Sequence, residues 1–162
     1  MDFKNANEPL ALCEEKNLPV SEIMRIREIE LGETASEIVN KKMTRVLEIM
    51  KDAAFSPIRQ PIKSMGGLIG GEARKLSLHA QEKRGLCGEL LQKAVTYAMA
   101  TLETNASMGL IVASPTAGSA GIVPGLLLAM QEHYDFSDEE IIQVLFNASA
   151  IGYLAMRNAT VA

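Results

Sequence analysis

The segment Ser114-Pro-Thr-Ala-Gly-Ser-Ala-Gly-Ile-Val-Pro-Gly125 offers the most chemistry in this sequence. Small residues dominate it at Ala117, Gly118, Ser119, Ala120 and Gly121, and Thr116 and Ser119 add hydroxyls. Small side chains leave backbone N–H groups open to a ligand. A helix beginning near Ser119 would aim its first amides and its dipole at an anion. A carboxylate or a phosphate fits that geometry. The segment lacks the Gly-Lys-Ser/Thr ending of a nucleotide phosphate loop and does not read Gly-x-Gly-x-x-Gly. A tight helix–loop–helix contact asks for the same small residues, so the pattern leaves packing and ligand binding both open. Asn105, just upstream, can cap a helix or offer a neutral hydrogen bond to a polar ligand.

A second glycine-rich turn, Ser64 to Glu72, is either a flexible lead into a helix or the wall of a site, with Lys63, Glu72 or Arg74 as polar contacts. Cys13 reads as a core thiol. Cys87 follows Gly85 at a helix start, where a thiolate is favoured, although a structural role suits it as well. His79 and His133 stand alone, there is no Cys-x-x-Cys, and no metal-ligand spacing occurs. No Ser-His-Asp or Cys-His arrangement can be argued, and no general base can be assigned.

The elements that would position these residues read as helices throughout. Aromatics make up 4% of the chain, Trp is absent and Met numbers 9, a composition that favours helix over sheet. Pro9 predicts a short helix over Leu10 to Glu15, closed by Asn17-Leu-Pro19. Ser21 is expected to cap a second helix that Gly32 stops. Thr34-Ala-Ser-Glu37 forms a capping box for a third. That helix carries Val39, Met43, Val46, Met50 and Ala53 at spacings of 4 and 3, as helix–helix packing requires. Pro57 and Pro61 are expected to bracket a loop. Leu76 to Lys83 continue as helix until Gly85, and Leu86 to Leu102 form a strongly amphipathic one. Leu110 to Ala113 is a short apolar run that periodicity cannot assign. One helix follows through Leu126 to His133. A last one runs from about Asp138 to Ala155 or beyond, opened by Ser137-Asp-Glu-Glu140. The expected architecture is all-α, a compact domain of about six to eight helices over residues 1–162.

The 162 residues carry 16 Lys+Arg against 20 Asp+Glu, a net charge of -4, which argues against nucleic-acid binding. No charge lies between Glu103 and Glu132, but prolines and glycines break that span well short of the ~20 apolar residues of a membrane helix. The first residues do not read as a basic, apolar signal peptide, so none is expected, and two cysteines suit a reducing cytoplasm. The final helix meets no glycine, proline or polar tail at 157–162, so a continuation is expected.

The Ser114–Gly125 motif, together with Asn105-Ala-Ser-Met-Gly109, Gly67-Leu-Ile-Gly-Gly-Glu72 and Arg157-Asn-Ala-Thr160, resembles the α chain of bacterial iron–sulfur-dependent L-serine dehydratases. The resemblance runs over essentially the whole chain. It implies that this is the N-terminal portion of a longer catalytic chain whose cluster cysteines come later, starting in a Gly-Gly-Cys segment. The whole enzyme would convert L-serine to pyruvate and ammonia, with a [4Fe-4S] cluster as Lewis acid on the serine hydroxyl. Cys13 and Cys87 do not match the family's ligand positions, so no cluster is expected on this chain alone, which should be inactive. Thr116, Ala117, Gly118, Ser119, Ala120 and Gly121 would bind the substrate carboxylate, with Asn105 a further candidate. The implied partners are L-serine, the remainder of the α chain and a β-type chain. Apolar surface facing the missing remainder leads to the expectation of homo-oligomers. A helical interaction or metabolite-binding module without catalysis is the alternative, and a phosphate-binding enzyme a weaker one.

Overall fold

The computed structural model describes residues 2–82 and 87–158. Among them it contains seven helices and no strand: α1 (Asn7–Lys16), α2 (Val20–Leu31), α3 (Ser36–Arg59), α4 (Glu72–Glu82), α5 (Glu89–Ala106), α6 (Ile122–Tyr134) and α7 (Asp138–Asn158). The all-α expectation therefore holds. The helix break at Gly85 and the Ala159-Thr160 end of the family motif lie outside the described residues. The chain forms two compact units, residues 1–45 with 138–162, and residues 46–137.

The first unit is built on α2, which packs against both α1 and α7. Its core is Phe3, Ile23, Met24, Val39, Phe146 and Ala150, with Cys13 packed at the margin. Asn5 Oδ1 accepts the Asn7 N–H at 3.0 Å and Glu8 accepts the Lys4 N–H at 2.7 Å, side-chain bonds around the start of α1, which begins at Asn7, ahead of Pro9. Ser21 does not cap α2. Pro19 stands at the cap, its carbonyl accepting from Glu22 and Ile23, and Ser21 is buried in the first turn.

Buried Arg27 holds the chain start to α7. Its guanidinium lies 3.8 Å from the centroid of the Tyr153 ring and donates to Asp2 Oδ1 at 3.2 Å. The same carboxylate accepts from Tyr153 at 2.8 Å and from Arg157 at 3.0 Å. The Tyr153 hydrogen bond, with those from Arg27 and Arg157, draws the Asp2 carboxyl down to about 2.

The second unit centres on α5, with α4 and α6 packed against it. Ala94, Tyr97, Ala100, Leu128 and Ala129 are buried there. Phe55 meets the Tyr97 ring edge-on at 5.1 Å, and the Tyr97 hydroxyl donates to Glu132 at 2.7 Å. Burial and that carboxylate push the Tyr97 phenol above its usual range. The expected loop at Pro57 is helix instead. α3 continues through buried Pro57 to Arg59, and the loop begins only beyond Gln60. Leu110 to Ala113 is irregular.

Candidate functional site

Residues 114–121 form a loop that is fixed by its own hydroxyls. Ser119 Oγ donates to the Ser114 carbonyl at 2.7 Å and stands 2.9 Å from Thr116 Oγ1. The Thr116 N–H donates to Ser119 Oγ and the Ser119 N–H to Thr116 Oγ1, each at 3.3 Å. Further along, the Ala120 N–H reaches the Ala117 carbonyl at 3.3 Å, and the Ile122 N–H reaches Ser119 at 3.0 Å as α6 begins. Both hydroxyls are thus engaged inside the loop. The N–H groups of Ala117 and Gly118, two exposed residues, meet no acceptor among the described residues.

The sequence-expected residues divide into two sets. Thr116, Ala117 and Gly118 are exposed at the tip and Ser119 is half-buried beneath them. Ala120 and Gly121 are buried. A Cβ at Gly121 would lie 2.6 Å from the Ala98 carbonyl oxygen, and one at Gly125 would lie 2.7 Å from that of Ala94. Those two glycines let α6 approach the α5 backbone, which is the packing role that small residues left open. At Gly118 an added Cβ would meet nothing closer than Thr116 Oγ1 at 3.9 Å. Asn105 lies exposed in the last turn of α5, where its carbonyl accepts the Met108 N–H at 3.0 Å.

No charge lies from Thr104 to Gln131. An anion at the tip therefore meets amide dipoles with no carboxylate from that stretch to repel it. The stretch also holds no His, Cys, Tyr or Lys, the side chains that most often transfer protons.

The other glycine-rich turn is held from within. Glu103 on α5 is 2% exposed, and its carboxylate accepts the Gly71 N–H at 3.2 Å and the Ala73 N–H at 2.8 Å, capping α4. The Glu72 carboxylate accepts the Gly70 N–H at 2.7 Å, and the Gly70 and Glu72 amides hold that carboxyl below its usual range. Arg74 donates to the Ile58 and Arg59 carbonyls at 3.0 and 2.7 Å, closing the C-terminus of α3. Glu72 and Arg74, expected as possible ligand contacts, both bind backbone. Gly70 is required here, since its φ is +147° and a Cβ would stand 2.1 Å from the Ile62 carbonyl. The sequence reading assigns Glu103 no role, whereas the structure makes it the cap of α4. Its signal is its place after Thr96 and Ala100, at the 4 and 3 spacing of the buried α5 face.

Among the described residues no three of His, Cys, Asp and Glu gather as a metal site, and no helix is long and apolar enough to cross a membrane. Cys13 is half-buried on α1 and Cys87 is exposed ahead of α5.

Known proteins agree with the motif. The family model described as serine dehydratase alpha chain matches residues 15–162. The probable L-serine dehydratase alpha chain of Bacillus subtilis is 38% identical over 159 residues, covering 98% of this chain and 53% of that protein. The L-serine dehydratase alpha chain of Peptoniphilus asaccharolyticus is 33% identical over 160 residues, covering 99% of this chain and 55% of that protein. The L-serine dehydratase of Helicobacter pylori (strain ATCC 700392 / 26695) is 32% identical over 165 residues, covering 98% of this chain and 36% of that protein. The chain spans about half the length of the first two. A match over nine-tenths of its residues carries one conclusion: the chain belongs to the serine dehydratase alpha chain family.

Proposed function

We propose that this chain supplies the substrate-carboxylate loop of a lyase that deaminates L-serine to pyruvate and ammonia. The observation that carries the reading is the pair of amides at Ala117 and Gly118 that meet no acceptor among the described residues, on a loop locked by the Thr116 and Ser119 hydroxyls. The substrate comes from the names of the relatives. Two adjacent N–H groups can take both oxygens of one carboxylate. Hydrogen bonding there also draws charge from Cα, which eases loss of the α proton as carbanion character develops. Water leaves across Cα–Cβ, and the aminoacrylate that results tautomerises and hydrolyses to pyruvate and ammonia. The group that takes the proton lies outside residues 104–131.

A [4Fe-4S] cluster would supply Lewis-acid assistance to the departing hydroxyl in the whole enzyme. Such clusters are held by about three or four thiolates, and this chain has two cysteines, one on α1 and one ahead of α5. That donor set does not fit the group. This chain contributes substrate binding, and the remainder of the α chain contributes the ligands. A β-type chain, assembly into homo-oligomers and a cytoplasmic setting belong to the same reading, as does the inactivity of this piece alone.

Titration calorimetry with L-serine and with L-serinamide, whose carboxylate is neutralised as an amide, tests the reading. L-serine is expected to bind at least tenfold more tightly. Equal affinity, or no binding of L-serine at millimolar concentration, would contradict it.

A further inference from the structure

Two segments of the second unit expose large apolar side chains, and both hang on the C-terminal end of α5. Met65, Leu68 and Ile69, on the glycine-rich turn, are 83%, 92% and 48% exposed. Met108 and Leu110, just after α5, are 78% and 63% exposed. The turn is tied to α5 through Glu103, which accepts from Gly71 and Ala73. The second segment is tied to the neighbouring residue, because the Gly109 N–H donates to the Thr104 carbonyl at 2.8 Å. Adjacent residues of one helix therefore anchor both apolar segments at one end of the unit.

Neither segment is loose. Ser64 Oγ accepts the Ile69 N–H at 3.1 Å and the Ser64 N–H reaches the Ile69 carbonyl at 2.8 Å, so the turn is closed on itself with its apolar side chains outside. Met108 is held with φ at +62°, in the left-handed region, by the turn that ends α5. Side chains of this size fixed outward over water mark an interaction surface. Residues 64–71 and 104–131 carry no charge, so the matching surface is apolar.

We propose that this end of the second unit is the docking face for the part of the alpha chain that lies beyond the stretch matched in the relatives. The proposal rests on the lyase reading above and gives it a named partner surface. The occupant is chosen by length: the alpha-chain relatives are nearly twice as long as the stretch this chain matches, which leaves a second half to be packed somewhere. Its contact surface is apolar, and it covers Met65, Leu68, Ile69, Met108 and Leu110.

Methionine oxidation reads this directly. The chain is co-expressed with the part of the Bacillus subtilis relative that the match leaves uncovered, and the complex and the chain alone are treated with dilute hydrogen peroxide. In the chain alone Met65 and Met108 should oxidise at least tenfold faster than buried Met24 and Met50. In the complex they should slow to near the rate of those two, and Leu68→Asp should weaken the complex tenfold or more. A complex in which Met65 and Met108 stay fast overturns the proposal, as does failure to form a complex. Protection that grows with the concentration of this chain alone overturns it in favour of a second copy. The readout needs no serine: protection without serine binding leaves the docking face standing and removes the carboxylate-loop reading, and the reverse result does the opposite.

Discussion

Thr104 Oγ1 on α5 donates to the Ala53 carbonyl on α3 at 2.9 Å. Ala53 is four residues before Pro57, whose ring nitrogen has no hydrogen to give, so the helix itself leaves this carbonyl without its usual partner. A hydroxyl from another helix fills the gap. The same Thr104 also reaches its own Ala100 carbonyl at 3.2 Å. This pairing is why α3 can run through a proline that reads as a loop signal.

A double-mutant cycle tests that compensation. Thr104→Val removes the donor and is expected to cost about 1–2 kcal/mol. In a Pro57→Ala background, where the residue 57 amide can bond Ala53, the same substitution should cost about 1 kcal/mol less. Equal costs in both backgrounds would show that Thr104 acts on something else.

Glu103 joins α5 to the start of α4 by two amides from a nearly water-free position. Glu103→Ala should destabilise the chain by about 2–4 kcal/mol in denaturant unfolding, because two buried N–H groups lose their acceptor. Glu103→Gln keeps one acceptor oxygen and should cost clearly less. Amide exchange at Ala73 should quicken in the alanine variant, and unchanged exchange would argue against the cap.

The glycines of the 114–125 segment should sort by role. Gly121→Ala and Gly125→Ala force a Cβ against α5 carbonyls and should each cost about 1–3 kcal/mol. Gly118→Ala enters open space and should change stability by no more than about 0.5 kcal/mol. Comparable losses at all three positions would mean that the tip is packed rather than open.

Asp2 gives the first unit an acid-sensitive clasp. Its carboxyl is lowered from 3.8 to about 2 by Tyr153 foremost, with Arg27 and Arg157 adding to it. A folded value below the unfolded one means the stabilisation is complete above roughly pH 4 and fades as pH falls through about 2. Wild type and Asp2→Asn should therefore differ most in melting temperature near pH 5 and converge towards pH 2. A difference independent of pH would assign the effect to packing of Phe3 instead.

Much of this was legible beforehand. Apolar spacing and the Gly32 stop mark α2 and α3, and the small residues at 114–125 mark both the loop and its packing base. The structure departs from the sequence reading mostly where a long-range partner overrides a local signal, and once, at Ser21, where a near neighbour takes the place. Pro57 reads as a break because Thr104 lies 47 positions away, and Ser21 reads as a cap although Pro19 suffices. Glu103 escaped notice because its two partners are backbone groups, which sequence patterns do not display. The division of the loop between exposed Gly118 and buried Gly121 could not be read either, since it depends on where Ala98 lies.

The most direct test of the central claim is an amide shift map of the 15N-labelled chain titrated with L-serine. The Ala117 and Gly118 N–H resonances should move most and saturably, downfield as expected for new hydrogen bonds to a carboxylate, while Gly70 and Gly71 stay in place. Saturable shifts that leave Ala117 and Gly118 unmoved, or no shifts at all, would contradict the claim that this loop receives the substrate carboxylate.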